Sequence, residues 1–141
     1  MFSKVLVPVD GSDHSLRALD HALFLAKATG SKVTAIHVME KPPTMYVESQ
    51  KLLNDIMAKY KTESTKVLDR CKELAAQKGI KIETVIADGD AATNITNYAK
   101  KEGSDIIVIG NRGLGRFKEM VVGSVSNKVL HHAKCSVLIV K

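Results

Sequence analysis

The sequence has no tryptophan and only three phenylalanines and three tyrosines, 4% aromatic residues in all. That removes the aromatic platform on which single-stranded nucleic acids stack. Cysteine is scarce as well. Cys71 and Cys135 lie far apart, with none of the spacing of a disulfide framework or a zinc site, so both are expected to be reduced and buried. No apolar run approaches the roughly 18 to 20 residues of a membrane helix. The first residues lack the basic start, apolar middle and small-residue cleavage site of a secretory leader. The expectation is a soluble, cytoplasmic protein with no membrane partner.

What is present suits one compact domain spanning residues 1–141, with 45% hydrophobic residues to supply its core. A formal charge of +6 favours anionic partners. The lysines, however, are scattered through every segment and often stand beside Glu or Asp, which describes a solvated surface better than a nucleic-acid footprint. His131 and His132 are adjacent on a helix and point about 100° apart, so they cannot both address one metal. No carboxylate or cysteine stands at ligand spacing near the histidines, and no structural zinc is expected. His37, within a strand, reads as a hydrogen-bonded core residue.

Along the chain, strand and helix patterns alternate. "SKVLVPVD" is a β-branched strand ending near Asp10, followed by a helix that starts at Ser12 or Asp13 and closes at Gly30. "KVTAIHVM" is a second strand ending near Met39, where paired prolines interrupt the pattern. Leu53, Ile56, Met57, Tyr60, Val67, Leu68, Cys71 and Leu74 then form one long helical stripe up to Gly79. "KIETVIAD", a helix with Ile95 and Ala99 facing inward, "SDIIVIGN", the helix "SVSNKVLHHAK" and the strand "CSVLIVK" complete the chain. Such alternation predicts an α/β fold, a parallel sheet with helices on both faces. Ligands of that architecture sit beyond the C-terminal ends of the strands, at the switch in strand order.

The strand ends therefore carry the functional signal, above all "GNRGLGRFKEMVVGSVS" after the fourth strand. It is not a P-loop, because Ser124 and Val125 follow Gly123 where a lysine is required. It is not the dinucleotide fingerprint either, since Lys118 stands where the third glycine would fall. The pattern is G-x-x-G, nine residues, G-S: Gly110, Gly113, Gly123 and Ser124, with Ser126 two residues on. Glycine admits close approach of a ligand or a positive φ. Ser124 and Ser126 stand at the start of the last helix, where free N–H groups and the dipole favour phosphate. Arg112, Arg116 and Lys118 are candidates to add positive charge.

With "VPVDGS" at the first strand end, "HV" at the second and the closing "VLIVK", this pattern resembles the ATP-binding branch of the universal stress protein family. The resemblance covers the whole chain. It implies a three-layer, Rossmann-like fold of the adenine nucleotide alpha hydrolase type, its five parallel strands in the order 3-2-1-4-5. It implies ATP between the ends of strands one and four, with Mg2+ as a companion ion. Residue by residue, Pro8, Val9 and Asp10 would contact adenosine, Asp10 through hydrogen bonds to adenine or ribose. Val38 would line the adenine pocket. Gly110, Gly113, Gly123, Ser124, Val125 and Ser126 would hold ribose and phosphates, with Arg112 beside them. A homodimer through the last strand, residues 135–141, is implied as well.

Three functions follow as expectations. One is a stress-response regulatory module, in which ATP occupancy changes the segment Gly113 to Gly123 and the loop Glu40 to Val47, and with them the surface offered to a protein partner. The second is a weak ATPase using Ser124, Arg112 and a metal. The third, nucleic-acid binding through the basic surface, predicts affinity that falls steeply with salt. The first is preferred, because Asp10 is the one carboxylate with an obvious claim as acid or base, and the resemblance places it nearer adenosine than the terminal phosphate.

Overall fold

The computed structural model describes residues 2–40, 49–111 and 123–141. In chain order the elements are β1 (Lys4–Pro8), α1 (Asp13–Thr29), β2 (Lys32–Met39), α2 (Gln50–Gln77), β3 (Glu83–Asp88), α3 (Ala91–Glu102), β4 (Ile106–Gly110), α4 (Ser124–His132) and β5 (Ser136–Val140). The strands form one parallel sheet in the order β3-β2-β1-β4-β5.

Local chemistry sets most boundaries. Ser12 caps α1 by accepting from the Ser15 N–H, and Gly30 ends the helix at φ 74°, a conformation costly for any residue with a Cβ. Ser49 caps α2 and Asp90 caps α3 in the same way as Ser12. Alternation along the strands divides the core in two. Val5, Val7, Val33, Ala35 and Val108 pack under α1 and α2, where Leu19, Leu23, Leu68 and Cys71 meet them. Leu6, Ile36, Ile107 and Ile109 face α3 and α4 through Ile95, Ala99 and Val129. β1 is covered on both faces, as the central strand of a three-layer fold should be.

Burial in the first cluster pushes the Cys71 thiol up to about 11, which leaves it an inert apolar residue. Cys135 was expected to be buried and is half-buried, because the edge strand it precedes has one neighbour among the described residues. The long helix also departs from expectation. Only Ser64, Leu68, Cys71 and Ala75 are buried on α2, while Tyr60 at 39% and Leu52 at 50% exposure lie on a half that extends beyond the sheet.

Asp105, just before β4, fastens the seam between β1 and β4. Its carboxylate accepts from the Ser3 N–H at 2.7 Å, the Ser3 hydroxyl at 2.8 Å and the Lys4 N–H at 2.8 Å. The Ser3 hydroxyl first, then the two amides, hold this carboxyl below the usual aspartate range. Its pKa is lower folded than unfolded, so the clasp stabilises above about pH 4 and that contribution is lost as pH falls through the lowered value. The urea midpoint of the wild type should therefore exceed that of Asp105→Asn at pH 6, and the gap should narrow at pH 3. A gap independent of pH would show that the carboxylate charge contributes nothing.

Candidate functional site

β1 loses its two neighbours within a few residues, and the site lies where it does so. The pairing of β1 with β4 covers Val5–Ile106 and Leu6–Ile107, whereas β4 runs on beside β5 as far as Gly110 and Val140. Pro8, on the side of β1 that turns to β4, has no N–H with which to continue the ladder. Pairing with β2 ends at Pro8–Ile36, with one further bond from the Val9 N–H to the Ile36 carbonyl at 2.9 Å. The chain then turns through Gly11 at φ 84°, while Asp10 Oδ1 accepts from the Ser12 N–H at 2.9 Å. Every second residue of β2 directs its N–H and C=O towards β1. Val38 belongs to that set, so its main chain faces the gap that β1 leaves.

This gap opens into a cavity of about 880 Å3. Pro8, Val9, Asp10, Val38, Gly110, Gly123, Ser124, Val125 and Ser126 all line it, nine of the eleven positions nominated from the sequence. The other two, Arg112 and Gly113, lie outside the described residues, as do Arg116, Lys118 and the greater part of both segments expected to respond to a ligand. A second, more open depression of about 690 Å3 lies along the start of β3 against the end of α2. It is at the opposite end of the sheet from the strand C-termini and contains none of the nominated residues.

Glycine serves two different ends here. A Cβ on Gly110 would lie 2.7 Å from the carbonyl carbon and 2.8 Å from the carbonyl oxygen of His14, so this residue lets the first turn of α1 approach β4. Gly123 has φ −63° and ψ 159°, an extended conformation open to any residue. It is the N-cap of α4, and no side chain makes a cap bond there. The Gly123 N–H donates to the Asn111 carbonyl at 2.7 Å, fixing the start of α4 against the end of β4.

The two serines also divide. Ser126 is 1% exposed and its hydroxyl lies 3.0 Å from the Asn111 carbonyl and 3.1 Å from that of Gly123, so its proton is committed within the protein. Ser124 is exposed on the cavity wall and keeps its hydroxyl accessible. With the first-turn amides of α4, it makes a donor-rich end suited to an anion.

Sequence reasoning missed the opposite wall. Tyr60, Glu63, Ser64 and Val67 of α2 line the cavity, as do His37, Met39 and Glu40 from the end of β2. Tyr60 and Val67 read only as part of a helical stripe, and the overhang of α2 beyond the sheet turns them towards the cavity. His37 is half-buried, and its Nδ1 donates to the Val9 carbonyl at 2.8 Å. The described wall carries the carboxylates Asp10, Glu40 and Glu63 and no lysine or arginine. Apolar surface from Val9, Ile36, Val38, Ile95 and Ile109 completes it.

Residues 1–141 match the family model described as the universal stress protein family. The chain is 41% identical over 149 residues to universal stress protein YxiE of Bacillus subtilis, covering 100% of both chains. Among solved structures, universal stress protein UspA from Lactobacillus plantarum superposes with a TM-score of 0.90 at 25% identity, over 99% of this chain and 98% of that one. A universal stress protein in complex with cAMP gives a TM-score of 0.71 at 28% identity, over 99% and 96% of the two chains.

Proposed function

The chain belongs to the universal stress protein family, and from that premise we propose that its cavity binds an adenine nucleotide, ATP, as part of a regulatory module. The observation that carries this reading is the cavity at the β1–β4 split, which collects an apolar floor, an open main-chain edge and a helix start with no side-chain cap bond. The relative solved with cAMP supports the nucleotide class.

In this reading the base lies against Val9 and Val38. The Val38 N–H donates to N1 of adenine, and its carbonyl accepts from the exocyclic amino group. Asp10 takes a ribose hydroxyl. Its Oδ1 already holds the Ser12 N–H, so Asp10→Ala would also disturb the start of α1, and Asp10→Asn is the cleaner variant. Phosphates lie at the start of α4 against Gly110, Gly123, Ser124 and Val125, and Arg112 supplies the positive charge that the described wall lacks. The main chain of Ser126 joins them while its hydroxyl ties α4 to β4. Mg2+ would accompany the nucleotide on its phosphate oxygens.

Regulation follows if a partner distinguishes the filled from the empty state. Among the described residues β5 pairs with β4 alone and leaves Leu138 37% exposed, which suits a homodimer across residues 135–141.

Calorimetric titration of nucleotide-stripped protein with ATP and Mg2+, with phosphate release assayed on the same sample, tests the reading. Micromolar binding without release is expected, and Ser124→Ala should weaken ATP about tenfold while leaving adenosine unchanged. Steady release would favour the ATPase, and absence of binding would overturn the site.

A further inference from the structure

The β1–β2 ladder stops one rung short of where its geometry would carry it, and a side chain occupies the break. The Val9 N–H donates to the Ile36 carbonyl, so a regular parallel continuation would send the Val38 N–H to the Val9 carbonyl. The pairing ends instead at Pro8–Ile36, and the Val9 carbonyl accepts from His37 Nδ1 at 2.8 Å. On its other side β2 remains fully paired, as far as the Met39 carbonyl accepting from the Gly89 N–H at 3.0 Å. The break is therefore local and confined to the side facing the cavity.

We propose that His37 is a positioning residue that holds this rung open. By occupying the Val9 carbonyl it leaves the Val38 N–H and C=O to the edge of a ligand. The ligand part rests on the nucleotide reading above; the open rung is a property of the free protein. A carbonyl only accepts, so Nδ1 carries the proton of the neutral ring, and it carries one in the cationic ring too. His37 lies on the α2 face of β2, with Val33 and Ala35. Its ring reaches the Val9 carbonyl from that face, while the main chain of Val38 points along the sheet into the gap. A side chain that cannot donate would release the Val9 carbonyl to its ladder partner. The strand pair would lengthen by one rung, and the base would lose both of its main-chain contacts.

Two readouts test this together. In the nucleotide-free wild type the Val38 amide should exchange with solvent much faster than the Ile36 amide. In His37→Leu, Val38 should gain at least about tenfold protection. ATP affinity should fall about tenfold in that variant, while inorganic tripolyphosphate binds as before. His37→Asn, whose amide nitrogen can stand where Nδ1 stood, should restore both values. If His37→Leu does not fold, His37→Ala makes the same comparison. The proposal fails if Val38 is already protected in the wild type, or if removing the donor changes neither exchange nor affinity. It fails equally if Asn and Leu behave alike, which would mean that the ring acts through packing alone. A wild type that binds no ATP would overturn the nucleotide reading, and Val38 exchange would then decide the open rung by itself.

Discussion

Gly110→Ala is expected to destabilise the protein by about 3 kcal/mol, the upper part of the range for overpacked sites, and to lower the melting temperature by roughly 10 °C. The atoms that a Cβ would strike, at 2.7 and 2.8 Å, are main-chain atoms of His14, and no rotamer change can move them aside. The first turn of α1 is itself held by the Ser12 cap and by the Leu16 N–H bond to the Ser12 carbonyl at 3.0 Å. Relief therefore requires α1 to shift as a body against β4. Gly30 and Gly103 offer the contrast, since a Cβ there meets nothing within 4 Å and the cost comes from their positive φ alone. A shift of α1 also carries the Asp10–Ser12 turn with it, so ligand affinity should fall alongside stability. Thermal and urea unfolding of the two proteins measure the effect. A change below about 1 kcal/mol would mean that the approach of α1 to β4 is looser than the structure has it.

Gly123→Val is expected to do the reverse. Valine can adopt φ −63° and ψ 159°, no side-chain cap bond exists to be lost, and the N–H bond to Asn111 is kept. Stability should change by no more than about 1 kcal/mol. In the proposed reading binding should suffer far more, because the phosphates would approach the helix start at Gly123 and an isopropyl group would crowd them. A loss of ATP affinity of at least about 100-fold, near 2.7 kcal/mol, is expected by calorimetry. A folded Gly123→Val protein with unchanged affinity would remove the phosphates from this end of the cavity. The two glycines belong to one sequence pattern, yet one should fail in folding and binding together and the other in binding alone.

That separation shows what could be seen from the chain alone. Alternating patterns and the residues at Ser12 and Gly30 marked elements with local causes, and the structure has them. Strand order is not local. It was read from the family resemblance, since no periodicity says which strand lies beside which. The stripe of α2 was visible, but its meaning was not. A helix of 28 residues runs about 42 Å and the eight-residue β2 about 26 Å, so much of α2 has no sheet beneath it. Periodicity locates a face without saying what stands opposite, and Tyr60 therefore read only as part of a stripe. His37 was expected to be a hydrogen-bonded residue, and it is one. That its bond displaces a ladder rung depends on a carbonyl 28 positions away. Ser126 was placed beside Ser124 as an equal, and the difference between them comes from the Asn111 carbonyl.

The seam fastened by Asp105 has one more consequence, for the order in which the molecule can be completed. Ser3 and Asp105 are separated by 102 positions, whereas β1 meets β2, and β2 meets β3, through single helical crossovers. Closing the longer loop costs more chain entropy, and its contacts repay nothing until β4 is in place. A chain emerging from the ribosome can assemble β1, α1, β2, α2 and β3 before β4 exists, but it has no cavity, because the cavity is bounded by both sides of that seam. A ligand of the cavity can then recognise the chain only once β4 and α4 are in place. By mass action a bound ligand would add about 2.7 kcal/mol to stability at 100 times its dissociation constant, so occupancy would also hold that seam closed.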